Sequence, residues 1–130
     1  VWSVQRKVNT VDIVRRTLER HHAGHPPPGA PDFFRFGKAG AAERALRRAG
    51  FRSVRSERMT VEWVFAGPDE FWDSMKKGPS LRRALAKVSP VVRRAVKADV
   101  FRALEKFRCR GKLRIPNEAV LAVGVKERAP

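Results

Sequence analysis

Apolar positions along this chain change period several times, and the changes divide it into elements. Val11, Val14 and Leu18 follow Thr10 at helical spacing until Gly24 and the prolines Pro26, Pro27 and Pro28 intervene. That predicts a first helix from about Val11 to about His22 with Thr10 as N-cap. Gly24 to Asp32 cannot propagate a helix and is expected to run as a surface loop. Beyond the Phe33-Phe34-Arg35-Phe36 cluster, Ala42, Leu46 and Ala49 share one face of a short helix over Ala39 to Ala49, with Gly50 as its left-handed cap.

From Phe51 to Phe65 the period becomes two: Met59, Val61, Trp63 and Phe65 point one way, Arg58, Thr60, Glu62 and Val64 the other. A half-exposed strand follows from that alternation. After Gly67, a helix starting at Pro68 or Asp69 holds Phe71, Trp72 and Met75 and ends at Gly78-Pro79. Ser80 is the expected cap of a helix from Leu81 to Val88, and Ser89-Pro90 opens the last helix, to about Arg108. Its apolar stripe is Val92, Val96, Val100, Ala103, Leu104 and Phe107. After Gly111 the chain turns into Ala119 to Val125, apolar on both alternating sets, which predicts a strand buried on both faces and interior to a sheet. The Met59 to Phe65 strand belongs beside it, nearer an edge.

At 130 residues and 42% apolar, one domain is expected. The opening Val1-Trp2-Ser3-Val4 reads as the tail of a strand, which points to a fragment or a processed chain. No apolar run approaches the roughly 18 residues that span a bilayer, and no signal-peptide pattern is present, so the expected location is the cytoplasm, without membrane contact. Cys109 has no second cysteine to pair with and reads as an incidental thiol.

Charge changes the picture. The chain carries 29 Lys and Arg against 13 Asp and Glu, a formal +16. Lys76 to Arg114 alone holds 14 basic residues and two acids, Asp99 and Glu105. Such a surplus implies RNA or another polyanion as partner, or an assembly that neutralises it. Arg82, Arg83, Arg93, Arg94 and Lys97 are the candidate phosphate contacts. His21, His22 and His25 lack neighbours with tetrahedral ligand spacing and read as exposed histidines, so no metal is expected. Asp69, Glu70 and Asp73 read as an acidic first turn, and no nucleophile motif or paired carboxylate marks a hydrolase. Trp2, Phe34, Phe36, Phe65 and Trp72 are candidates for the lining of an apolar substrate pocket, and the same aromatics would serve as core.

The order strand end, helix, proline loop, helix, strand, helical insert, apolar strand resembles the C-terminal half of a class I S-adenosylmethionine-dependent methyltransferase of the small-molecule type. Trp2 with Arg6 resembles the tryptophan just after that family's fifth strand. Pro31-Asp32-Phe33-Phe34-Arg35-Phe36-Gly37 resembles its phenylalanine-containing loop, and Arg47 to Val54 its alanine-glycine-phenylalanine passage into the sixth strand. Ile115-Pro116 with Ala119 to Lys126 resembles its closing strand.

The resemblance implies an α/β fold, a partial Rossmann-like methyltransferase fold with an antiparallel final strand pair, the last strand lying between the fifth and sixth. It makes Pro68 to Arg110 a lid-like basic insert and gives the chain the substrate-side portion of a methyl-transfer enzyme. No Gly-x-Gly occurs, and Gly37-x-x-Gly40 lies in the wrong half for the glycine-rich turn, so S-adenosylmethionine is the intact family's cofactor while this chain alone is expected to bind none. The alternative expectation is a non-catalytic, methyltransferase-derived basic protein that binds RNA or acts as a scaffold in a ribonucleoprotein. A partner chain or second copy covering an exposed sheet edge is a further expected partner.

Overall fold

The computed structural model describes residues 1–24, 26 and 28–127. The helices are α1 (Asn9–Arg20), α2 (Ala41–Arg48), α3 (Pro68–Lys77), α4 (Pro79–Ala86) and α5 (Pro90–Leu104), with 3-10 turns at Gln5–Lys7 and Glu105–Phe107. The strands are β1 (Phe51–Phe65), β2 (Arg108–Cys109) and β3 (Lys112–Lys126), forming one antiparallel sheet in the order β1-β3-β2. Among the described residues the molecule is thus mixed α/β, with five α-helices and three strands. Contacts gather the chain into two compact units, one of Val1–Asn9, Pro31–Val61 and the chain from Pro116 on, the other of Thr10–Ala30 and Glu62–Ile115. β1 and β3, 15 residues each, contribute to both.

In the second unit the apolar stripes meet in one cluster. α1 supplies Ile13, Val14 and Leu18, α3 supplies Phe71 and Trp72, α4 supplies Leu81, Ala84 and Leu85, and α5 supplies Val96, Val100 and Leu104 at i, i+4 spacing. Leu113 and Ile115 close it from β3, and Phe65 from β1. Burying a side chain of this size stabilises by about 1.5–3 kcal/mol relative to exposure, which is why short helices such as α4 persist. Phe65 and Phe71 meet edge-on with ring centroids 5.3 Å apart.

Local chemistry sets the ends. Ser89 accepts a hydrogen bond from the Val92 amide with Pro90 at the first helical position, as its sequence predicts. Two expected caps differ. α1 starts one residue before Thr10, which is fully buried in the helix, and the Asn9 side-chain Nδ2 donates to the Pro116 carbonyl. α4 starts at Pro79, so Ser80 lies within it and the proline's fixed φ does the nucleating. The expected last helix ends earlier, at Leu104, and a strand absent from the sequence reading, β2, follows. Arg110 and Gly111, both at positive φ, form the two-residue turn that pairs Cys109 with Lys112.

In the first unit β3 is the middle strand. One edge meets β1; along the other, Ala119 and Asn117 bridge antiparallel to Trp2 and Val8, with Ser3 N donating to Glu118 O and Val120 N to Val1 O. Backbone groups alternate sides along a strand, so Pro116, two before Glu118, has its nitrogen on that same edge. It sits where β3 changes partner from β2 to the N-terminal segment, the position at which a missing N–H costs no ladder bond. β3 is therefore interior to the sheet and β1 lies at its edge, as expected. The expectation that β3 is buried on both faces fails: Leu121, Val123 and Val125 are 49%, 41% and 60% exposed. Phe36 and the α2 residues Ala42, Ala45 and Leu46 line a depression together with Val120, Leu121 and Ala122.

Candidate functional site

The five aromatic candidates separate. Trp2, Phe34 and Phe36 belong to the first unit and are half-buried, whereas Phe65 and Trp72 belong to the second and are core, Trp72 standing edge-on to Phe101 at 6.5 Å. Phe36 borders open space. It lines two adjoining depressions: one of about 330 Å³ with Val1, Ala42, Ala45, Leu46 and Val120 to Ala122, the other of about 470 Å³ with Arg35, Ala41, Arg44, Ala45 and Arg48.

The larger depression is built by α2. Ala41 and Ala45 supply its floor because they carry no more than a methyl group, and Arg44 and Arg48, one turn apart, rise from the same side of the helix. Arg35 comes from the preceding loop and lies 4.3 Å above the Phe36 ring. All three guanidiniums are exposed, and among the described residues none forms an ion pair. The neighbouring carboxylate of Glu43 is held below the usual carboxylate range, first by the Ser56 hydroxyl that it accepts, with the charges of Arg47 and Arg44 acting in the same direction. The sequence reading missed these arginines. The available signal was the Arg44/Arg48 spacing on a helix whose other face is alanine and leucine.

Beneath that loop a polar cluster fastens the unit. Arg58 donates from Nη1 to Ser3 Oγ and Glu118 Oε1, 2.8 Å each, and from Nη2 to the Gly37 carbonyl at 3.0 Å. Ser3, fully buried, donates to Glu118 at 2.6 Å, and Lys7 reaches the other carboxylate oxygen at 3.3 Å. Hydrogen bonding from Ser3, then from Arg58 and Lys7, holds the Glu118 carboxyl below its ordinary value of 4.5. Gly37 is required here because any Cβ would overlap the Ser3 backbone.

The five basic candidates all lie in the second unit, on α4 and α5. Arg82, Arg83 and Arg94 are exposed and, among the described residues, form no ion pair. Arg93 donates to the Val88 carbonyl at 3.2 Å, and Lys97 lies 3.5 Å from Asp69 and 5.1 Å from the Phe101 ring, so these two are engaged within the fold. Of the histidines expected to be exposed, His22 is, at a positive φ just after α1, whereas His21 is half-buried because it meets Asp99 at 2.7 Å, and His25 falls outside the described residues. The Asp99 carboxyl is held low by His21 first and by Arg102 second. Among the described residues no group of three metal-ligating side chains converges, and no helix is long and apolar enough to cross a membrane.

No family of known proteins matches this chain, and neither a curated protein sequence nor a solved structure is significantly similar to it.

Proposed function

We propose that this chain is the C-terminal, substrate-side portion of a class I S-adenosylmethionine-dependent methyltransferase. The observation that carries the reading is the position of β3, antiparallel between β1 and the Val1–Ser3 segment, so that its two neighbours run the same way. That is the arrangement of the closing strand between the fifth and sixth strands in the family this sequence resembles. The helices α3 to α5 fall between β1 and β3 in the chain, where the family carries its variable cover. The uncovered Leu121, Val123 and Val125 suit a sheet that continues under further elements.

Gly37 packs against the Ser3 backbone and Gly40 against the Arg44 side chain, so these two glycines do not fit the cofactor's glycine-rich cradle, which supports a cofactor site outside these residues. Its contribution in this reading is part of the substrate-side wall, for which the half-buried aromatics Trp2, Phe34 and Phe36 of the first unit are the candidate lining. A wall contributes by holding the acceptor in line and excluding water.

A second reading, a non-catalytic protein binding RNA or organising a ribonucleoprotein, is favoured by the unpaired Arg82, Arg83 and Arg94. The intact mass of the native protein, with the mass of what copurifies, decides between them. A polypeptide at least twice the 14.7 kDa of this chain that captures labelled S-adenosylmethionine outside these residues is the expected result. A native chain of 14.7 kDa held on RNA would overturn it.

A further inference from the structure

We propose that the α2 depression is a nucleotide site, with Arg35, Arg44 and Arg48 on the phosphate and the base stacked on the Phe36–Arg35 pair. The site stands apart from the methyltransferase reading and uses none of the basic candidates of α4 and α5.

Charge comes first. Three exposed guanidiniums border one depression and form no ion pair among the described residues, Arg44 resting against the Ala39 carbonyl at 3.4 Å with Glu43 nearby, and like charges one turn apart on a helix repel. A bound anion removes that repulsion. The guanidinium is a planar fork that matches phosphate oxygens two at a time, and three of them suit a group carrying two negative charges better than a single carboxylate.

Shape gives the rest of the ligand. The depression is open to solvent, and at about 470 Å³ it extends beyond what a phosphate group fills. What remains is walled by Phe36, Ala41 and Ala45, a flat and apolar surface with an aromatic ring at one side. Phe36 is half-buried and already carries the Arg35 guanidinium at 4.3 Å, so a planar base can extend that stack. A phosphate joined to a planar ring meets both demands. The depression is shallow, so the nucleotide can be free or part of a single strand, and the two share this chemistry.

The test is calorimetric titration of the full chain with inorganic phosphate, adenosine, AMP and a single-stranded hexa-adenylate. AMP is expected to bind saturably and at least about tenfold more tightly than either phosphate or adenosine. Replacing Arg44 and Arg48 by Gln weakens AMP at least about tenfold, whereas Arg82→Gln with Arg83→Gln, which removes the same charge from α4, leaves it within about twofold. Phe36→Leu brings AMP down to the affinity of phosphate. If the hexa-adenylate binds more tightly than AMP and loses the same factor in the Arg44/Arg48 variant, the site serves a strand; if AMP binds as tightly, it serves a free nucleotide. Equal weakening by the two double variants, AMP no tighter than adenosine, or no saturable binding of any probe would overturn the proposal. The substituted arginines are exposed, so unchanged circular dichroism is expected and accompanies each titration.

Discussion

In the second unit the fully buried positions are Phe71, Val96, Val100, Leu104, Leu113 and Ile115 with the polar Thr10 and Thr17, a mostly apolar set, whereas in the first they are Val8, Ser3 and Asn117. One is closed by apolar area, the other around the directional contacts of a single guanidinium, Arg58, with a hydroxyl, a carboxylate and a carbonyl. Area is additive and tolerant of shape. Directional contacts fix the register of three segments yet leave apolar surface uncovered, as Leu121, Val123 and Val125 are. The first unit also holds the two depressions that Phe36 lines.

The largest effects separate the two kinds of closure. Phe71→Ala removes a fully buried ring from the apolar cluster and is expected to cost about 3–5 kcal/mol in urea denaturation. Gly37→Ala drives a methyl group into the Ser3 backbone and is expected to cost about 3 kcal/mol, with the loss confined to its own unit. Amide exchange checks that confinement: the Ser3 and Val120 amides, bonded to Glu118 and Val1, should lose protection while those of α5 keep it. Equal loss in α5 would dissolve the distinction between the units.

The same contrast governs what the sequence could disclose. Amphipathic stripes report apolar closure directly, so α3, α5 and the span of β1 were legible from spacing, as was the Ser89-Pro90 start. Polar closure leaves no period: nothing in the spacing of Ser3, Arg58 and Glu118 announces that they meet across more than 50 residues. The two-residue β2 is too short to show alternation, and only its positive-φ turn at Arg110-Gly111 marks it. β3 misled for a physical reason. Its apolar residues on both sets predict two covered faces, and composition alone does not show whether anything covers them. The aromatics that pattern alone left open between pocket and core divide by location, with Phe65 and Trp72 in the core and Phe36 at a depression.

A medium effect tests the polar closure through pH. The Glu118 carboxyl titrates below 4.5 when folded because Ser3, Arg58 and Lys7 favour its charged form. Its stabilisation is therefore fully present above the unfolded value and is lost as pH falls through the folded one. Glu118→Gln should lower the melting temperature at pH 7 and flatten its decline below about pH 4.5, relative to the unmodified chain. Parallel acid limbs for the two proteins would show that the carboxylate contributes nothing specific.

The smallest expected effect has the opposite sign. Arg82 and Arg83 sit exposed in a stretch, Lys76 to Arg114, that carries 14 basic residues and two acids. Among the described residues they make no ion pair, so their charges add self-repulsion and no contact. Replacing both by Gln should leave stability unchanged or raise it by about 0.3 kcal/mol at low ionic strength. The gain should vanish near 1 M salt, where the screening length falls to about 3 Å. Arg58→Gln, the same chemical change in the first unit, should instead destabilise at every salt concentration, because it removes hydrogen bonds that salt does not screen. A loss of stability from the α4 pair would mean that these arginines are engaged in closing the fold, and the second unit would then share the polar character of the first.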